Sequence, residues 1–193
     1  MSSIIRNLSR ADRDGLAAHL LALDAADRRL RFGTPLSDIG VRGYVAGIDF
    51  ARDAVFGVID CDLRIVGAAH VARGDGHAEV GLSVLPEFRR RGVGGALLER
   101  SAMHARGWYV RKLLMHCLAE NVAMRRLAQR QRMRIVTESG ESEAWLALAP
   151  PDPATVAGEF VADRVGLLDY TLKRLSLAGR TLASAMLPAW NVQ

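Results

Sequence analysis

The stretch Val84-Leu85-Pro86-Glu87-Phe88-Arg89-Arg90-Arg91-Gly92-Val93-Gly94-Gly95-Ala96-Leu97-Leu98 joins an apolar run to a helical pattern through a loop of arginines and glycines. A loop that opens a helix in this way turns N–H groups outward at the positive end of the helix dipole, the arrangement that holds a phosphate. A Cβ at Gly92 or Gly94 would obstruct a ligand approaching the backbone, and Arg89, Arg90 and Arg91 raise the local positive potential. The plainer alternative is a glycine turn beside solvated arginines. Nucleoside triphosphate hydrolysis is disfavoured, because a Walker loop needs Gly-Lys-Ser/Thr where Gly95 and Ala96 follow Gly94. Nicotinamide chemistry is disfavoured too. Leu97 stands at the third glycine of the dinucleotide fingerprint, and Lys112 to Leu114 occupy the stretch where its acid belongs.

Periodicity places this loop within an ordered series of elements. Ser3 to Leu8 reads as a strand, with Ser9 capping a helix to about Leu23; a second helix ends near Gly33, and Ser37 caps a third to about Gly47. Ala54 to Ile59, Leu63 to Ala72 and His77 to Leu85 follow as strands joined by short turns, hence antiparallel neighbours. Next come a helix over Gly92 to Ala105, a strand over Arg111 to Leu118 and a basic helix from Asn121 to about Gln131. Met133 to Thr137 and Ala144 to Ala149 read as strands flanking a turn at Glu138 to Ser142. Pro150, Pro151 and Pro153 then introduce a helix from about Thr155 to Met186. Val161, Val165, Leu168, Leu172, Leu175, Gly179, Leu182 and Met186 alternate four and three residues apart. That heptad stripe asks for a helical partner, either a second subunit in a homodimer or the chain's own domain.

At 193 residues the chain is long enough to bury roughly 70% of its unfolded surface without staples. Half of it is apolar and 24% is charged, which excludes wholesale disorder. Cys61 and Cys117 show no Cys/His spacing, so neither a disulfide framework nor a zinc site is expected and no metal is called for. With no leader-like segment or long apolar run, a cytoplasmic protein without membrane partners is expected. The net charge of +5 is uneven: residues 84 to 135 hold twelve basic and three acidic side chains, while the remainder is net negative. The anionic partner must therefore be local.

Arg89-Arg90-Arg91-Gly92-Val93-Gly94 resembles the coenzyme-A loop of the GNAT superfamily of N-acetyltransferases, Gln/Arg-x-x-Gly-x-Gly/Ala. Asn121-Val122-Ala123-Met124-Arg125-Arg126-Leu127 resembles the same family's second motif, Asn-x-x-Ala/Met-x-x-Leu, in the right order and one helix and one strand further on. The resemblance covers residues 3 to 149. It implies an α+β fold of α/β type: a mixed, mostly antiparallel sheet splayed between its fourth and fifth strands and flanked by helices. Residues 1–149 would form the acetyl-CoA-binding catalytic domain and 150–193 a helical extension for dimerisation or clamping. The implied coenzyme contacts are the N–H groups of Arg89, Arg90, Arg91, Gly92, Val93, Gly94 and Gly95 on the pyrophosphate, main-chain groups of Leu82, Ser83 and Val84 on the pantetheine arm, and Asn121 from the second motif. In the Arg28-Arg29-Leu30-Arg31-Phe32-Gly33 segment, Arg31 or Phe32 would contact substrate, with capping and packing as the alternative.

An amine of pKa about 10.4 must lose a proton before it attacks, which at pH 7 costs about 4.6 kcal/mol. Glu79, on the strand leading into the loop, is the candidate base, with an edge ion pair as the other reading; His77 and His70 stand behind it. The tyrosine that many relatives place after the second-motif leucine is replaced by Ala128. Protonating a leaving thiol of pKa about 8.5 is worth only about 2 kcal/mol, so its loss slows transfer without forbidding it. Cys117 and His116 could substitute, but the strand Arg111 to Leu118 reads as apolar on both faces, so both are expected to be buried packing residues. Arg125, Arg126, Arg130, Arg132 and Arg134 form a second basic cluster, either a solvated helix face or a site for the coenzyme's 3'-phosphate. The leading expectation is direct acetyl transfer from acetyl-CoA to a primary amine, small molecule or protein lysine, without metal. The rivals are a non-catalytic acyl-CoA-binding module and, last for want of interleaved aromatics, a nucleic-acid binder.

Overall fold

A computed structural model describes residues 4–186, so Ser3 of the expected first strand and the side chain of Met186 lie outside the described residues. Seven strands form one sheet: β1 (Ile5–Leu8), β2 (Ala54–Ile59), β3 (Ile65–Arg73), β4 (His77–Val84), β5 (Lys112–Leu118), β6 (Arg134–Glu138) and β7 (Glu141–Ala147), in the order β1-β2-β3-β4-β5-β7-β6. All neighbours are antiparallel except β4 and β5, which run parallel. This is the mixed, mostly antiparallel sheet expected from the motifs.

Among the described residues six α-helices accompany it: α1 (Arg13–Leu21), α2 (Ala25–Phe32), α3 (Asp38–Gly47), α4 (Val93–Gly107), α5 (Val122–Arg130) and α6 (Pro153–Met186). Their ends follow local chemistry. Asp24 accepts from Asp27 N–H and Ser37 from Gly40 N–H as N-caps, and Gly33 closes α2 in the left-handed conformation at φ 78°. Helix α4 packs its Val93, Leu97, Leu98, Ala102 and Ala105 against Phe56, Ala69, Val71, Val80 and Leu82 on one sheet face. On the other, α1 and α3 pack Leu16, Leu20, Val41 and Val45 against Val55, Val66 and Ala68.

The β5–β7–β6 half is covered differently. There α5 packs against β6 and β7 and α2 meets β5, and β5 alternates buried Leu113, Met115 and Cys117 with more open Lys112, Leu114 and His116. His116 is therefore no core residue, contrary to the apolar-on-both-faces reading: its side chain is half exposed, 4.0 Å from Glu143. The final hairpin also differs, for strands continue through Glu138 and resume at Glu141. Ser139 and Gly140, at φ 50° and 86°, make a two-residue loop whose twist suits paired strands.

Helix α6 crosses the free edge of β1. A Cβ on Gly166 would run into the Ile5 carbonyl, so only glycine allows the approach. Glu159 meets His104 and Arg100, Asp163 lies 2.6 Å from Arg100, and Arg6 stacks on the Tyr170 ring at 3.9 Å. The helix thus grips its own domain through a seam of small and polar residues. Its apolar stripe faces away: Val161, Val165, Leu168, Leu172, Leu175 and Leu182 are 44% to 67% exposed.

His19 ties α1 to the sheet. Its Nδ1 lies 2.9 Å from the Ile65 carbonyl and so carries the ring proton, leaving Nε2 to accept from the Ser83 hydroxyl at 2.9 Å. Burial, opposed by the Ile65 bond and reinforced by the Arg31 charge, lowers its pKa from 6.5 to about 4. The neutral ring is favoured in the fold, so its contribution is complete above pH 6.5 and is lost as pH falls toward 4, where the unfolded chain takes up a proton and the native ring does not. The difference reaches about 3 kcal/mol. Urea unfolding of His19→Gln at pH 7, 5.5 and 4.5 is expected to show a shallower decline than the wild type across this window.

Candidate active site

Strands β4 and β5 stay together only briefly. His77, Ala78 and Glu79 pair with Lys112, Leu113 and Leu114, and beyond Glu79 the two strands part although both continue. Leu85 N–H donates to the Val66 carbonyl, and the alternation of an antiparallel ladder then turns the main-chain groups of Leu82 and Val84 outward to the gap and those of Ser83 back to β3. The Val84 carbonyl accepts from Arg89 Nε at 2.9 Å, while the outward groups of Leu82 meet no partner among the described residues.

The gap opens into a groove of about 640 Å³ lined by Leu82, Ser83, Val84, Arg89, Arg90, Gly92, Val93, Gly94, Gly95 and Asn121, with Arg31, Leu127, Arg126 and Arg130 around them. Every expected coenzyme residue except Arg91 lines it. Arg91 stacks instead over the Phe88 ring at 5.4 Å, and Arg132 and Arg134 stand outside the lining. A larger cleft of about 850 Å³ beneath α6, lined by Asn7, Asp53, Trp108 and Leu167 among others, includes none of the expected coenzyme residues.

Gly92 caps α4 from the left-handed region at φ 84°, and Arg90 before it stands at φ 58°. With the chain turned this way, the N–H groups of Arg90 through Gly95 meet no acceptor among the described residues, and the first helical bond in the loop is Ala96 N–H to the Gly92 carbonyl at 3.0 Å. These unpaired donors face one end of the groove at the helix's positive pole, which is what a diphosphate requires. Gly94 serves access rather than conformation, for a Cβ there would project into the groove toward Leu127, Leu82 and Val84.

Helix α2 straps the groove on one side. Asp27 holds Arg89 at 2.6 Å, the Leu30 carbonyl accepts from Asn121 Nδ2 at 3.3 Å, and Arg29 pairs with Glu120. Asn121 also caps α5 by accepting from Met124 N–H at 3.1 Å, so its amide positions the second motif. Phe32 packs edge-on against Tyr44 at 5.0 Å.

Glu79 is exposed at the last paired position of β4, on the face shared with His70, Gly81 and Ser83, and makes no hydrogen bond or ion pair among the described residues. His77 is a turn residue bonded to the Asp75 carbonyl. Cys117 is buried, which pushes its thiol pKa up and keeps it protonated. Ala128 is fully buried in the α4 core. Sequence reasoning missed one constellation here. Arg31 Nη2 donates to Tyr44 Oη at 3.0 Å and to the Gly81 carbonyl at 3.2 Å. The Tyr44 hydroxyl lies 2.7 Å from His70 Nδ1, whose Nε2 lies 3.1 Å from Asp53. The available signal was Gly81 itself, a glycine inside a strand, which marks a close approach.

Residues 18–132 match the model of the acetyltransferase (GNAT) family. No curated protein matches the chain. Among solved structures, the GNAT domain of S. lividans PAT is similar at TM-score 0.65 and 22% identity, over 75% of this chain and 89% of that one. A phosphinothricin acetyltransferase from Sinorhizobium meliloti, in complex with AcCoA, aligns at TM-score 0.60 and 14% identity, over 79% and 95%. A ribosomal-protein-alanine N-acetyltransferase from Brucella melitensis aligns at 0.57 and 18%, over 75% and 99%.

Gly94→Glu is expected to weaken coenzyme A binding at least about 100-fold by calorimetry, since it fills the groove. Its melting temperature should stay close to the wild type's, because no neighbour of Gly94 is closer than 3.6 Å to the added Cβ.

Proposed function

The chain belongs to the GNAT acetyltransferase family, whose co-substrate is acetyl-CoA, and from that premise we propose direct acetyl transfer to a primary amine in a ternary complex, with Glu79 as the base. The observation that carries this reading is the set of unpaired N–H groups from Arg90 to Gly95 at one end of a groove whose wall is the parted edge of β4. The diphosphate binds at the loop, and the pantetheine arm adds to the edge through Leu82, the residue whose outward main-chain groups meet no partner among the described residues. Val84 already gives its carbonyl to Arg89, so its share is smaller.

This threading brings the thioester toward the point where β4 leaves β5, beside Glu79. An acceptor ammonium entering from the α1–α3 face gives a proton to the Glu79 carboxylate, and the freed amine attacks the thioester carbonyl. A carbon–nitrogen bond forms, the carbon–sulfur bond breaks, and the thiolate takes a proton. Ala128 offers none, and Cys117, buried and with a raised pKa, is a poor source. Water is the donor, consistent with the small gain that assistance would bring. No group of three or more His, Cys, Asp or Glu residues that could hold a metal occurs among the described residues.

We further propose that the exposed stripe of α6 seats the same stripe of a second copy, since a soluble helix rarely shows so continuous an apolar seam to water. No described helix is long and apolar enough to cross a membrane. Cys61 is free and exposed, which fits work in a reducing cytoplasm.

Thiol release across an amine library tests the transfer. Glu79→Gln is expected to reduce kcat/KM by about 10²–10⁴ while coenzyme affinity holds. Light scattering tests the dimer: twice the chain mass is expected for the wild type and one chain mass for Leu168→Glu/Leu172→Glu.

A further inference from the structure

Arg31 is the arginine that the proposed reaction leaves unexplained. Most guanidinium groups near it meet a carboxylate: Arg28 with Asp38, Arg29 with Glu120, Arg89 with Asp27. Arg31 is half-buried, lines the groove, and forms no ion pair among the described residues. Its Nε is buried without a hydrogen-bond partner and its Nη1 has none among the described residues; Nη2 donates to Tyr44 and the Gly81 carbonyl, and the guanidinium lies over the Phe32 and Tyr44 rings at 4.8 and 5.6 Å, contacts that carry no counter-charge. The cation is nevertheless held firmly. A Cβ built on Gly81 would fall on the guanidinium, so the glycine is the cradle in which it lies against β4. The Asp53–His70–Tyr44 chain fixes it from behind: Asp53 accepts from His70 Nε2, which leaves Nδ1 to accept the Tyr44 proton and the Tyr44 oxygen to accept from Arg31. Burial, with a smaller push from the Arg31 charge, lowers the pKa of both His19 and His70 and favours neutral rings beside the guanidinium.

A preorganised, partly desolvated cation without a counter-charge asks for an anion. The coenzyme's diphosphate is not that anion. Gly81 lies three residues, about 10 Å, up the strand from Val84, with the phosphate loop beyond it, so Arg31 stands at the acyl end of the groove. Glu79 lies two residues further along the same face, about 7 Å away. One side chain suited to an ammonium and one suited to an anion thus flank the place where β4 and β5 separate.

We propose that the acceptor is a carboxylate-bearing amine of the α-amino-acid type, its carboxylate received by Arg31 and its nitrogen presented to Glu79. The inference rests on the transfer reading above and deepens it by naming the substrate class. Tyr44, His70 and Asp53 are positioning residues that orient the guanidinium.

The test uses the full chain and a panel of α-amino acids, each beside its carboxamide and its decarboxylated amine. It measures both thiol release and calorimetric binding to the protein loaded with coenzyme A. The wild type is expected to prefer the carboxylate at least tenfold, and Arg31→Gln to collapse that preference to within threefold through KM, with Arg31→Lys retaining part of it. Equal use of carboxamides, a preference that survives Arg31→Gln, or no preference in either readout overturns the proposal. So does a uniform fall in kcat for every acceptor, which would put the guanidinium on the thioester oxygen, or a parallel loss of coenzyme affinity. If no acceptor releases thiol but the carboxylate preference persists in binding and depends on Arg31, the anion site stands and the transfer reading falls. Should Arg31→Gln fail to fold, Tyr44→Phe decides: a reduced preference supports the assignment and an unchanged one overturns it.

Discussion

Main-chain groups left without partners are the constraint around which this protein is built. A buried or half-buried N–H or C=O normally must be paired, and a sheet with a long parting between two neighbouring strands is stable only if something answers the exposed edge. Here β4 and β5 separate after Glu79, and the α4 N-terminus adds the unanswered donors of Arg90 to Gly95 at the far end of the same gap. Both sets of groups lie along one groove. A ligand with a diphosphate at one end and amide groups along an extended arm satisfies both.

The surrounding elements keep that groove open. Arg89 links the loop to the Val84 carbonyl and to Asp27, so it shapes the loop more than it contributes a free charge. Asn121 bridges α2 and α5, the helices on either side of the gap. Gly67 does the same work from beneath, because any side chain there would strike Val93 and lift α4 from the sheet. Helix α6 acts at a distance, covering the β1 edge that would otherwise offer itself to another strand.

The two sheet faces divide the labour. One is closed by α4 and holds the larger core, so the groove has a rigid floor. On the other, α1 and α3 cover the first strands and α2 reaches β4 and β5, and past the parting the face is half exposed at His116 and Glu143. Glu79, Arg31, Tyr44 and His70 lie on this same face, on the near side of the parting.

The element order, nearly every helix and strand, and the glycine-arginine loop opening α4 were legible in the chain, because glycine positions, caps and apolar periods are local and act within a few residues. The β4–β5 parting could be anticipated only through the motifs that resemble a known family, since no local signal tells a strand where its neighbour leaves it. Tertiary structure alone decided three things. The heptad stripe of α6 faces outward, because Gly166 and the acidic seam of Glu159 and Asp163 fit the domain better than the leucines do. His116 is exposed, because coverage of β5 depends on which helices happen to pack nearby rather than on its own apolar neighbours. And Arg31, Tyr44, His70 and Asp53 meet across four separate elements and loops, a convergence that sequence spacing cannot encode because it is set by how α2 and α3 lie across the sheet.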